Sequence, residues 1–108
     1  LEVPGVQGVP GVALRVVVVY DISDDGVRLR VARTLESWGL HRIQRSAFVG
    51  RMQRARMRDL ARLLEGMINP GTDTVHIIPL PSHEWERTLV LGTPWGERRV
   101  ESAAILQG

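Results

Sequence analysis

The run Val16-Val17-Val18-Val19-Tyr20-Asp21-Ile22-Ser23-Asp24-Asp25, VVVVYDISDD, sets the architecture of the chain. Four consecutive β-branched residues, with Leu14 and Arg15 ahead of them, predict a strand from Leu14 to Tyr20. A nearly continuous apolar run of this length reads as a central strand buried on both faces. An aromatic and three carboxylates then follow within six residues, in a chain whose formal net charge is +2. Ser23, Asp24 and Asp25 suit the start of a helix, where side-chain oxygens cap free amides and negative charge meets the positive end of the helix dipole.

Downstream, Val27, Val31, Leu35 and Trp38 step by four, four and three, a stripe that faces a core from one side of a helix. Gly39 suits the C-terminal end of that helix. HRIQRSAFVGRM, from His41, is too short for two long strands but fits a tight hairpin around Gln44 to Ser46. A second helix is predicted over Gln53–Ile68, with Met57, Leu60, Leu64 and Met67 on its buried side and Asn69-Pro70-Gly71 as its stop. Thr74 to Leu80 reads as a strand, and Thr88 to Leu91 as a last short one. The order strand, helix, hairpin, helix, strand is the split βαβ plan of an α+β, ferredoxin-like βαββαβ fold, here with an extra C-terminal strand. Residues 1–13, rich in Gly, Pro and Val, read as a flexible leader, 14–92 as the domain, and 93–108 as a tail.

Composition narrows the chemistry. With no cysteine, disulfides and thiolate metal sites are excluded. The longest apolar run is far short of a membrane span, and the first residues lack the basic lead of a signal peptide, so the expectation is a cytoplasmic protein with no membrane partner. All 14 basic residues are arginines. From Arg28 to Glu65, ten arginines stand against Glu36, Asp59 and Glu65. Guanidinium pairs well with phosphate, so the asymmetry points to a nucleic-acid partner, with surface arginines of a thermostable protein as the alternative.

Arg51, Arg54, Arg58 and Arg62, spaced three, four and four, fall on one side of the second helix. Like charges stacked this way repel unless they meet an anion, which makes the four a candidate nucleic-acid-binding stripe; a solvated face is the plain alternative. Asp21, where the strand emerges, is the candidate metal carboxylate. Magnesium favours oxygen ligands and often takes one or two carboxylates beside phosphate and water. A turn or capping role is the alternative for Asp21, and core packing for Tyr20. His41, His76 and His83 lack metal-ligand spacing.

YDISDD with Arg28 and Arg30, then GLHRIQRSAFVG, then DTVHIIPL, occur in an order that resembles the CRISPR-associated protein two family. That family is the small endonuclease-like partner of the CRISPR integrase in spacer acquisition. The resemblance runs from about Leu14 to Leu91. It implies a ferredoxin-like homodimer whose last strand crosses to the other subunit's sheet. It also implies a divalent-metal-dependent endonuclease site, with Mg2+ as cofactor, and a role in binding duplex DNA and bridging dimers of the integrase, CRISPR-associated protein one. By the same resemblance Tyr20, Asp21, Arg28, Arg30, Arg42 and Phe48 are the catalytic candidates, with Asp21 on the metal. RNA remains open as a substrate. A stand-alone toxin-type metal-dependent ribonuclease and a non-catalytic ferredoxin-like interaction module are the other readings. Two features depart from the family: the residues ahead of the first strand, and Arg45 where an aromatic is common.

Overall fold

The computed structural model describes residues 12–95. The elements run β1 (Leu14–Asp21), α1 (Asp25–Ser37), β2 (His41–Gln44), β3 (Ala47–Met52), α2 (Arg54–Glu65), β4 (Thr74–Leu80) and α3 (Ser82–Trp85). The four strands form one sheet in the order β2-β3-β1-β4, every neighbouring pair antiparallel. This is the ferredoxin-like plan expected from the element order. The expected leader (1–13) and tail (93–108) lie largely outside the described residues.

Side chains of a strand alternate between faces. In β1 this sends Leu14, Val16, Val18 and Tyr20 to one side, where all four are buried. There they join Phe48 and Met52 of β3, Val31 and Leu35 of α1, and Leu60 and Leu64 of α2 in a single core. Fully burying each such aliphatic or aromatic side chain stabilises the fold by about 1.5–3 kcal/mol. The second face of β1 is different. Val17 is half-buried and Val19 is 40% exposed, which corrects the expectation of a strand buried on both faces. The physical reason is that α1 and α2 supply their apolar stripes to one side only.

Local chemistry sets the helix ends. Asp24 is the N-cap of α1, its Oδ1 accepting from the Val27 amide at 2.9 Å. Gly39 takes φ 90°, a conformation that favours glycine, while the Leu40 amide returns to the Leu35 carbonyl at 3.0 Å. The hairpin turns at Arg45 and Ser46, as expected. Helix α2 ends at Glu65, earlier than Ile68, capped at Gly66.

Two corrections fall at the C-terminal side. The short helix α3 was not anticipated, and Thr88–Leu91, expected as a strand, is irregular in this chain. A strand needs a hydrogen-bonding neighbour, and Leu89 and Leu91 stand 90% and 94% exposed. Elsewhere packing is tight. A Cβ added at Gly50 would lie 2.7 Å from Leu40 Cγ and 3.3 Å from its Cα. Gly50→Ala should therefore cost about 1–3 kcal/mol of stability, as overpacking does; urea denaturation with an unchanged m value checks it.

Candidate active site and nucleic-acid interface

Because Tyr20 and Asp21 are consecutive in β1, they point to opposite faces of the sheet. Tyr20 goes to the helix side. It is 4% exposed and stacks on Phe48 with ring centroids 6.2 Å apart and planes at 24°. Arg42 of β2 pairs across the ladder with Phe48 and holds its guanidinium 5.1 Å from that ring. Arg28 donates from Nη1 to the Ile22 carbonyl at 2.7 Å and from Nη2 to the Asp25 carboxylate. Four of the six catalytic candidates thus gather in one cluster. Arg30 is exposed outside it, since residues two apart on a helix do not share a face.

The Tyr20 hydroxyl is buried without a hydrogen-bond partner among the described residues. Burial pushes its pKa up, and the Arg42 and Arg28 charges partly oppose that rise. Arg42 acts on the hydroxyl as a nearby charge, since no hydrogen bond of good geometry joins them.

Asp21 lies on the other face, exposed at the end of β1 and opposite Thr74 of β4. The neighbouring carboxylates are engaged elsewhere: Asp24 caps α1, Asp25 pairs with Arg28, and Asp73 is held in a turn. Among the described residues, no group of three or more His, Asp or Glu side chains could hold a metal. Among the described residues around the end of β1, Asp21 is thus the carboxylate left unengaged. That fits magnesium only as one ligand among phosphate and water oxygens, or with a second carboxylate from another chain.

Asp73 had escaped the sequence reading. Its Oδ1 accepts from the Ser23 amide at 3.2 Å, the Ser23 hydroxyl at 3.1 Å and the Thr72 hydroxyl at 3.0 Å. Oδ2 accepts from the Asn69 amide at 2.9 Å. Ser23, expected to help cap α1, instead ties the exit of β1 to the entrance of β4. The Asn69 amide is the largest cause holding the Asp73 pKa below its ordinary value, burial opposing it, with Ser23 and Thr72 adding to the depression. A depressed carboxylate stabilises the fold above its unfolded pKa, and that contribution is lost as pH falls through the folded value. Asp73→Asn should lower the thermal midpoint at pH 7 and flatten its decline below about pH 4; thermal melts across an acid pH series read both.

The arginine stripe needs one correction. Arg54, Arg58 and Arg62 lie exposed on α2, Arg62 pairing with Asp59 at 3.0 Å. Arg51 is in β3, opposite Arg15 and therefore on the face away from the helices. Helical spacing fails for it because Gln53, the N-cap, stands between strand and helix. Arg56, left out of the stripe, packs its guanidinium 4.2 Å from the Trp38 ring, joining α2 to the end of α1. His41, His76 and His83 are all exposed.

The family model described as CRISPR associated protein Cas2 matches residues 14–88, from the start of β1 past the end of α3. The chain belongs to the Cas2 family. The CRISPR-associated endoribonuclease Cas2 1 of Pyrobaculum aerophilum is 40% identical over 76 residues, 70% of this chain and 78% of that protein. A CRISPR-associated endonuclease Cas1/endonuclease Cas2 fusion of Thermoproteus tenax is 53% identical over 74 residues, 68% of this chain and 28% of the fusion. The crystal structure of Streptococcus pyogenes Cas2 superposes with a TM-score of 0.61 at 25% identity, over 72% of this chain and 99% of that one. The family match on this chain spans the four strands of the sheet and both long helices. Among the described residues no helix is long and apolar enough to cross a membrane.

Proposed function

We propose that this Cas2-family chain acts in CRISPR spacer acquisition as a homodimer that binds duplex DNA and bridges integrase dimers. In this reading a magnesium-dependent phosphodiesterase site forms where two Asp21 carboxylates meet. The observation that carries it is the second face of the sheet. Register places Val17 beside Val49 and Ile78, and Val19 beside Ala47 and His76, an apolar surface ending at Asp21. Val19 and Ile78 are 40% and 41% exposed there. A β-branched surface of this kind gains by excluding water against a second copy. A two-fold axis near its acidic end would set the two Asp21 side chains facing each other.

A divalent cation at such a pair supplies Lewis-acid stabilisation of the charge that builds on a phosphate under attack by water. This chain's own residues hold the Asp21 backbone rigid: the Tyr20 amide donates to the Ser46 carbonyl at 3.0 Å, and Asp73 anchors Ser23. Arg54, Arg58 and Arg62 on α2 present positive charge for duplex phosphates. The Thermoproteus tenax fusion, which joins Cas1 and Cas2 in one chain, supports association with an integrase. The endoribonuclease names of other relatives support nuclease chemistry and make RNA the second substrate to assay.

The dimer is tested by light scattering, with an expected mass of about twice 12.1 kDa. Thr88–Leu91 acquires the neighbour it lacks by adding to the partner's sheet edge, so truncation after Leu80 should weaken association. A monomer that persists at high protein concentration would contradict this reading.

A further inference from the structure

Asp21 has a nitrogen-bearing neighbour on the open face of the sheet. Residues directly opposite in an antiparallel ladder share a face. Thr74 is opposite Asp21 and His76 is opposite Val19, which makes His76 the diagonal neighbour of Asp21. Diagonal neighbours are about 7–8 Å apart, within reach of an aromatic side chain. His76 is exposed and makes no hydrogen bond or ion pair with another described residue. We propose that His76 is a metal ligand beside Asp21, so that the site holds a first-row transition ion through both residues and magnesium through Asp21 alone. The inference rests on the Asp21 reading above and adds an imidazole to its donor set.

Three observations carry the proposal. First, the register gives His76 a defined set of neighbours on its face: Val19 across the ladder, Thr74 and Ile78 along β4, and Val17 and Asp21 on the diagonals. Only Asp21 among them is charged. When a second copy covers this face, the imidazole leaves water for mostly apolar surroundings, where a polar group without a partner is costly. An ion shared with Asp21 supplies that partner. Second, the donor types differ in what they select. Magnesium prefers oxygen ligands, whereas imidazole suits zinc, copper, iron and nickel. Third, the count fits two chains and not one. No group of three or more His, Asp or Glu side chains among the described residues could hold a metal in one chain. Two Asp21–His76 pairs brought together by a two-fold axis offer two carboxylates and two imidazoles, the number of donors in a tetrahedral site. Sequence spacing does not reveal the pair, because its members come from different strands, β1 and β4.

Calorimetric titration of the full chain with Co2+ and, separately, with Mg2+ tests the proposal, the visible absorption of bound Co2+ giving a second readout. His76→Phe keeps a ring that suits a strand and removes both nitrogens, so fold and association should persist. It should weaken Co2+ binding by about tenfold or more, since loss of a group that merely supports a metal ligand already costs about 10–100-fold. Mg2+ binding should be unchanged in this variant. Asp21→Asn should weaken the binding of both ions. The other two histidines, His41 on β2 and His83 on α3, serve as the control. His41→Ala combined with His83→Ala should bind Co2+ as the wild type does. Equal Co2+ affinity in wild type and His76→Phe, or Co2+ binding lost only in the His41 and His83 variant, would overturn the proposal and leave the Asp21 reading in place. Binding of both ions untouched by Asp21→Asn would instead remove the Asp21 reading, and this inference with it.

Discussion

Asp21→Asn should give a folded dimer whose magnesium-dependent cleavage has fallen by about a hundredfold or more, the scale on which loss of a group stabilising transition-state charge is felt. The substitution is nearly isosteric and removes the charge that would hold the cation. Folding should be unaffected, because the Asp21 side chain is exposed and makes no hydrogen bond or ion pair with another described residue. Cleavage of duplex DNA and of RNA, each with magnesium and with chelator, reads the effect and separates the two substrates. Full activity in purified Asp21→Asn would move the chemistry away from the sheet face altogether.

The second large effect belongs to α2. Each arginine that neutralises a phosphate releases condensed counterion, so duplex affinity should fall steeply with salt. Arg54→Ala with Arg58→Ala removes two contacts per chain and four per dimer. At about 0.9 per phosphate, the log–log salt slope should shrink by roughly 3.6. Between about 50 and 200 mM salt, the variant would then lose about 150-fold less affinity than the wild type. Unrelated duplex sequences should respond alike, because phosphate contacts carry no base information. Asp21→Asn should leave the slope unchanged. Equal slopes for wild type and the double-alanine variant would make the stripe a solvated face and shift DNA binding to Arg28, Arg30 and Arg42.

Elements with strong local signals were legible in the sequence. The valine run, the Asp24 cap, Gly39 and the short hairpin each have a cause within a few residues, and each stands where expected. Tertiary pairing was not legible. Nothing near Asp73 in sequence announces that it will bind Ser23, 50 residues earlier. Val17 and Val19 read as core because an apolar run does not record which of its faces a helix will cover. Thr88–Leu91 has the composition of a strand, but pairing requires an edge that this chain does not bring to it. Arg51 illustrates a different failure, since a helical spacing rule was carried across a strand boundary at Gln53. The candidate site divides the same way. The Tyr20–Asp21 pair was recognisable by motif, while its separation onto two faces follows from the strand's alternation.

The central claim is that two copies meet through the open sheet face with their Asp21 positions adjacent. The absence of cysteine makes this directly measurable, because one introduced thiol can be joined only to its counterpart in a second chain. Asp21→Cys treated with a short bifunctional thiol reagent should yield a covalent species of about twice 12.1 kDa at low protein concentration. Arg33→Cys, exposed on α1 on the opposite side of the sheet, should give no covalent linkage under the same conditions and run as a single chain once denatured. Efficient linkage at Arg33 with none at Asp21 would contradict the account.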